Sequence, residues 1–400
     1  MSRPYRIAMV AACPLPCPRG TPIRIHRMAE ALARRGHDVH VVTYHLGVGG
    51  EALPFTVHRT PGVPGYRSLS PGPSCGKLLV MDPMLVLALR RLLAAMPFDV
   101  IHAHHYEGLL VARCARGHRQ VPIVYDAHTL LETELPYYAL GVPDRLKRSV
   151  GRLLDRLLPG RADHVIAVSE KIRTMLVDSG ATPDGRVSVV PNGVELDAFT
   201  MAVEHHSVAR RAEPRAVRHG PELIFTGNLA PYQRIDLLVR SFRTVVDARD
   251  DARLLVVGSA SLEQYDQLAS ALGVRDGIAT VPSDFRAIPG QLAAADVALN
   301  PRTHCAGVPQ KLLNYMAAGR PIVSFAGSGA VLEHGRTGWL VPDGDTAAFG
   351  RAVLHLLDEP ALAESLGAAA RRHVADNYSW DRTGANVEAV YQRMLHDGGG

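Results

Sequence analysis

Five cysteines in 400 residues, Cys13, Cys17, Cys75, Cys114 and Cys305, are odd in number and scattered. That excludes a disulfide framework and makes a reducing, cytoplasmic compartment the default. Cys13 and Cys17 have no second pair at zinc-ligand spacing, so no metal is expected there. Lys and Arg never gather into a block: 44 basic residues are interleaved with 39 acidic ones for a net charge of +5. This pattern favours a phosphorylated ligand or an anionic membrane surface, and no nucleic-acid partner is expected. No window supplies the roughly 18 uncharged apolar residues of a membrane span. The nearest, Leu78 to Met96, carries Asp82, Arg90 and Arg91. The opening MSRPYRIAMVAAC looks superficially like a lipoprotein cleavage box. Its apolar run, Ile7 to Ala12, abuts Arg6 and is shorter than the roughly 7 to 15 residues such a signal needs, so a first buried strand is the better reading.

What is present is a rhythm. Buried-strand runs alternate with helical patterns: IAMVAA, a helix near Ile25 to Arg35, DVHVVTY, then FDVIHAH, PIVYDAH, HVIAVS and VSVVPN. A second series, ELIFTG, RLLVVGS, IATVPS, DVALNP, PIVSF and GWLVP, follows a polar stretch, Thr200 to Gly220, that reads as a linker or surface loop. Four hundred residues exceed one ordinary core, and each series is of domain size, so two domains are expected. They are assigned to 1–196 and 197–379, with a final helix, 380–397, packing back on the first. Strand–helix alternation predicts two α/β, doubly wound parallel sheets of Rossmann-like type, with ligand bound in a cleft at their strand carboxyl ends. A dinucleotide-binding dehydrogenase is disfavoured. The first turn, CPLPCPRGTPIR, has Gly20 but no G-x-G-x-x-G, and the second strand ends in Thr43-Tyr44-His45 rather than a ribose-binding acid.

The chemistry concentrates in a few turns. FTGNLAPYQRIDLL reads as a strand end, a turn at Gly227 and a helix. Such a turn presents unpaired N–H groups and a positive helix end to an anion. The DGD triplet, Asp343 to Asp345, is read as the N-cap of a helix beginning at Thr346 rather than as a metal site. IHAHHYEG places His102, His104 and His105 together, but two of these alternate along a strand without an obvious carboxylate partner, so no metal is assigned. Asp144 to Arg161 spaces Leu and Val helically with Arg145, Lys147, Arg148, Arg152 and Arg156 between. A peripheral contact with the inner face of a membrane through 144–161 is one reading, and an ordinary helix with its apolar face in the core is the other.

TGNLAPYQRIDLL, AAADVALNP, GVPQKLLNYMAAGRPIVSF and GRTGWLVPDGD, in this order and after VIAVSEKIR and VVPNGVELDAF, resemble the retaining nucleotide-sugar glycosyltransferases of the GT-B architecture, and within them glycosyltransferase family 4. The resemblance covers nearly the whole chain. It implies transfer of a sugar from a nucleoside-diphosphate sugar to a hydroxyl acceptor of a polysaccharide, glycolipid or secondary metabolite, with anomeric configuration retained and no cofactor or metal required. On this reading the diphosphate lies between Gly20 and Thr21 on one side and Gly227, Asn228, Gln233, Arg234 and Lys311 on the other. The family commonly has an Arg or Lys pair at the positions of Asn228 and Gln233, so a displaced base, Arg234 or Lys311, is expected to supply the charge. Of two glutamates the family often places eight positions apart, the second aligns with Asn314, a nucleoside contact, and the first with Ala306, leaving the backbone of Gly307 and Val308 to meet the sugar. His128, in YDAHTLLETELP, resembles the histidine beside the donor sugar. His128, Arg234 and Lys311 are therefore the catalytic candidates, with His104, His105, Glu132 and Glu134 on the acceptor side. An epimerase or hydrolase of the same fold and a non-catalytic sugar-nucleotide-binding homologue are the alternatives.

Overall fold

The first strand, β1 (Arg6–Ala11), is buried from Ile7 onward on both of its faces, as a strand covered by helices on either side must be. The computed structural model describes residues 3–17, 20–47, 53–69, 72–138, 141–212, 220–258, 261–284, 286–305 and 307–397, with the backbone alone at 207–212, 396 and 397. Contacts divide the chain into two compact units, Met1–Asn192 together with Trp380–Gly400, and Gly193–Ser379.

The first unit adds β2 (Asp38–Thr43), β3 (Thr56–Arg59), β4 (Val100–His104), β5 (Ile123–Ala127), β6 (His164–Ala167) and β7 (Val187–Val189). They form one parallel sheet of order β3-β2-β1-β4-β5-β6-β7. Register sets Ala11 beside His104 and His104 beside Asp126, so the carboxyl ends of the three central strands are level where the order reverses. On one face the helix Trp380–Asp397 contributes Val387, Val390 and Tyr391 to the core of Ile7, Met9, Ile25 and Met28. Each such side chain stabilises by about 1.5–3 kcal/mol, enough to hold the chain's last helix on this unit.

The second unit contains β8 (Glu222–Thr226), β9 (Arg253–Gly258), β10 (Ile278–Pro282), β11 (Val297–Asn300), β12 (Ile322–Phe325) and β13 (Trp339–Val341), in the order β10-β9-β8-β11-β12-β13, again all parallel. Its order reverses between β8 and β11. Side chains alternate across β8: Phe225 packs with Leu238, Phe242 and Phe349 on one face, and Ile224 with Leu312, Tyr315 and Met316 on the other.

Two expectations need correcting. The stretch from Thr200 is no loop up to residue 212 but part of the helix Leu196–Ala212. Phe199 is buried in the core, and Arg371 donates to Thr200 Oγ1 at 2.7 Å. The apolar spacing of Leu196, Phe199 and Val203 is thin among polar residues, which hid the helix; 213–219 lie outside the described residues. The helix expected from Ile25 begins at Gly20 and runs to Arg34, because Pro22 falls in its first turn, where a missing N–H costs nothing. The cap at Asp345 is as expected: its Oδ1 accepts from the Ala348 N–H at 2.8 Å.

Gly151, on the helix Asp144–Leu157, touches the backbone of the short helix Leu131–Glu134, and an added Cβ there would come within 2.5 Å of Glu132 N. Gly151→Ala is expected to destabilise by about 1–3 kcal/mol through overpacking, read as a lowered midpoint of thermal unfolding.

Candidate active site

The carboxyl end of β5 carries Asp126, which is fully buried, and the helix after β1 sends Arg24 to meet it. Arg24 Nε donates to Oδ2 at 2.9 Å and Nη2 to Oδ1 at 3.0 Å, a two-point fork. The same guanidinium donates to the Val190 carbonyl and to Asn192 Oδ1, both at 2.9 Å. Three imidazoles close around the carboxylate: His104 Nδ1 at 3.3 Å, His128 Nε2 at 3.5 Å and His102 Nε2 at 3.6 Å. Burial works to raise Asp126, but Arg24 and the imidazoles outweigh it and hold the carboxyl well below its usual range. Burial, with the Arg24 and His105 charges against it, keeps His128 below the usual histidine value despite Asp126.

His128 Nδ1 lies 3.2 Å from Thr21 Oγ1, so two residues expected to flank the donor are brought together, with Gly20 opening the same helix. His104 is placed differently from the expectation. Its side chain is fully buried, stacked on His102 with ring centroids 4.4 Å apart, so it faces the interior and not an acceptor. The reason is register: His102 and His104 point to the same side of β4, toward Asp126. Among the described residues His102, His104 and Asp126 are the one trio compact enough for a metal ion. Arg24 already occupies both carboxylate oxygens, however, and His102 Nδ1 is taken by the Tyr391 hydroxyl at 2.5 Å.

His105 begins the helix His105–Arg116 with φ of 63°, a left-handed conformation that strains a histidine and is held here by two carboxylates. Its Nε2 is 3.0 Å from Glu134 Oε2 and its Nδ1 3.3 Å from Glu107 Oε2. Burial opposes the charge, but the two carboxylates push His105 up to about 10. Glu134 also accepts from the Tyr138 hydroxyl. Glu132 stands apart, paired with Arg152 at 2.5 Å on the exposed side.

In the second unit the turn after β8 is built on Gly227, whose φ of 137° excludes other residues. Lys311, on the helix Gln310–Ala317, reaches this turn from β11's side. Its Nζ donates to Gln233 Oε1 at 2.7 Å, sits 4.0 Å from the Phe225 ring centroid and would lie 3.4 Å from a Cβ at 227. Tyr315, one turn further along, anchors that helix by accepting the Thr226 N–H at 2.8 Å. Burial first, then Arg302, holds Lys311 well below the usual lysine value. Asn228 donates to the Tyr232 hydroxyl at 2.7 Å, and Gln233 Nε2 reaches Asn228 Oδ1 at 3.4 Å. Asn314 lies one turn from Lys311 on the same helix, buried, with no described residue hydrogen-bonded to its side-chain amide. Gly307 and Val308 are half-buried, and Ala306 lies outside the described residues. Arg234 is not brought into this group: its guanidinium pairs with Asp236 at 2.9 and 3.0 Å, while its left-handed backbone starts the helix Ile235–Ala248. Residue-type reasoning overlooked Arg24, Asp126 and Arg302. Arg302 stands two residues beyond β11, and that position at the reversal of strand order is the cue that could have found it.

Two doubly wound units, each with polar turns at the carboxyl ends of its central strands, define the GT-B class of sugar-transfer enzymes. Over 98% of the chain and all of the other, the fold matches sucrose-phosphate synthase from Thermosynechococcus elongatus with a TM-score of 0.76 at 20% identity. It matches Anabaena HepE, solved with UDP and glucose, with a TM-score of 0.73 at 17% identity over 97% and 99% of the chains. Residues 18–198 match Glycosyltransferase Family 4, and residues 220–359 match Glycosyl transferases group 1. The D-inositol 3-phosphate glycosyltransferase of Geodermatophilus obscurus is 32% identical over 93% of this chain and 84% of its own. That of Kineococcus radiotolerans is 28% identical over 94% and 91%. The chain therefore belongs to glycosyltransferase family 4.

The His105 charge carries a sign. Its folded value of about 10 lies above the usual 6.5, so its stabilising pairing is complete below pH 6.5 and is lost as pH rises through 10. The difference in unfolding free energy between the native chain and His105→Gln is expected to shrink over that window, measured by denaturant unfolding at a series of pH values.

Proposed function

We propose that this glycosyltransferase moves a sugar from a nucleoside-diphosphate sugar to a hydroxyl acceptor with retention of anomeric configuration, without a metal. The observation that carries the donor reading is Lys311: a buried ammonium set against a glycine turn at a strand's carboxyl end, facing no carboxylate among the described residues. An anion is what such a site lacks. In this reading the turn N–H groups, Asn228, Gln233 and Lys311 hold the diphosphate of the donor. Asn314 and the backbone of Gly307 and Val308 meet its nucleoside and sugar. Within the first unit Gly20, Thr21 and His128 stay together as that unit's candidates for donor contact, while the Arg234 side chain is spent on Asp236. The bond from the anomeric carbon to the diphosphate oxygen breaks, the acceptor oxygen bonds to that carbon on the same face, and its proton passes to the departing phosphate. Lys311 stabilises the charge that develops there. His128, neutral and fixed by Thr21 and Asp126, orients rather than exchanges protons. Glu134 and His105 line the acceptor side, with Glu132 at its rim. The relatives' name makes a cyclitol phosphate the first acceptor to try.

Burial and Arg302 disfavour the charge on Lys311, and a bound diphosphate favours it, so any proton taken up on binding is expected to go to Lys311. Calorimetry of UDP, GDP and ADP binding in buffers of different ionisation enthalpy is expected to show that uptake for the true donor's nucleotide. Lys311→Gln is expected to lose both the uptake and about tenfold or more in affinity, the size of one charge-assisted hydrogen bond. Absence of binding by every nucleotide would refute the donor reading, and the anomeric coupling of the product by NMR decides retention.

The helix Asp144–Leu157 also supports peripheral contact with an anionic membrane. It turns Lys147 and Gly151 inward and leaves Leu146, Val150, Leu153 and Leu157 exposed by 42–56%, one continuous stripe at i, i+4, i+7 and i+11. Arg145, Arg148, Arg152 and Arg156 run beside it. Pairing this face with a second copy would set like-charged rows together, whereas anionic headgroups complement them. No helix of the described residues is long and apolar enough to cross a membrane. The chain is expected to float with phosphatidylcholine vesicles in which about a third of the lipid is phosphatidylglycerol. Leu153→Glu with Leu157→Glu is expected to abolish flotation without changing the unfolding midpoint. Self-association lost in the same variant, with no flotation of the native chain, would replace the membrane by a partner copy.

A further inference from the structure

The side chains that close the turn after β8, Asn228 and Gln233, are neutral amides, yet the second unit does not lack positive charge near it. Lys311 is one source. The other is Arg302, in the loop after β11. Its guanidinium carbon stands 4.8 Å from the centroid of the Tyr232 ring, and only its Nε is engaged, donating to the His304 carbonyl at 2.6 Å. Among the described residues its two terminal nitrogens bond no partner, and no carboxylate pairs with either cation. The two are close enough that the Arg302 charge disfavours the Lys311 charge.

A continuous polar chain links them around the turn. Arg302 stacks on Tyr232, whose hydroxyl accepts from Asn228; Asn228 accepts from Gln233, and Gln233 accepts from Lys311. The neutral amides thus occupy the places from which charge would come along the chain after β8. They hold in position two cations that arrive from the far side of the strand-order reversal, from the loop after β11 and the helix that follows it. Like charges brought together without a counter-ion are costly in the free protein and are neutralised by a bound anion. Arg302 adds what a lysine cannot, a planar fork suited to two oxygens of one phosphoryl group.

We propose that Arg302 and Lys311 are a relocated cation pair that grips the donor's diphosphate, with Asn228, Tyr232 and Gln233 as the positioning residues that hold it. This rests on the donor reading above and names the groups that carry it. Binding of UDP, GDP and ADP is compared with binding of the corresponding nucleosides and of inorganic pyrophosphate, by calorimetry on the full chain. Arg302→Ala is expected to weaken the accepted diphosphate and pyrophosphate by about tenfold or more while leaving the nucleoside unchanged, and Arg302→Lys to recover only part. Moving the lysine back, as Gln233→Lys with Lys311→Gln, is expected to bind better than Lys311→Gln alone. Arg302 is half-exposed, so folding is not at stake there, and unfolding midpoints check the buried variants. If the native chain binds a diphosphate but Arg302→Ala binds it equally well, or weakens nucleoside and diphosphate alike, the pair is refuted and the donor reading stands. If the native chain binds no diphosphate or pyrophosphate, both fall.

Discussion

A carboxylate closed off from water and gripped by a guanidinium organises the first unit. Asp126 alone would be prohibitively costly to bury, and Arg24 makes it tolerable only because the fork is two-pointed and its remaining donors reach Val190 and Asn192. That single pair ties the helix after β1 to the ends of β5 and β7. Around the fixed charge the ring planes of His102, His104 and His128 have little freedom, and Thr21 is drawn to His128 as a result. The arrangement is rigid because every partner is itself held by another, Tyr391 included.

The second unit follows the opposite electrostatic rule. Where the first unit buries a charge and neutralises it, the second keeps Lys311 on an aromatic face and a neutral amide and leaves its charge uncompensated. Such a site is electrostatically unfavourable until something negative enters, and that contrast, rather than residue type, is what the donor proposal rests on. It also accounts for Arg234, which carries the right charge at nearly the right place in the chain but is satisfied by Asp236.

Much of the architecture was legible in the residues. Apolar runs of strand length, repeated with helical patterns between, dictate buried parallel strands because only helices on both faces can cover them. The cap at Asp345 was readable because capping is local: one side chain meets an N–H three residues on. The turn at Gly227 was readable because its backbone conformation is one that glycine alone adopts freely. The helix from Leu196 was not, since Phe199 and Val203 are sparse among polar neighbours and only the core against which Phe199 packs gives them a face. His104 was misplaced for a related reason, because alternation along β4 says which residues share a side but not which side is closed.

The sequence by itself determined the class of fold, the place of the glycine turn after β8 and the family, because each depends on short-range pattern and on the order of motifs along the chain. Tertiary structure alone decided which charges act and which are silenced. Arg24 and Asp126 are separated by 102 positions, Lys311 and Gln233 by 78, and no local rule couples residues so far apart. Whether a cation is spent on a carboxylate, as in Arg234, or left against a neutral amide, as in Lys311, depends on what the packed sheet brings opposite it.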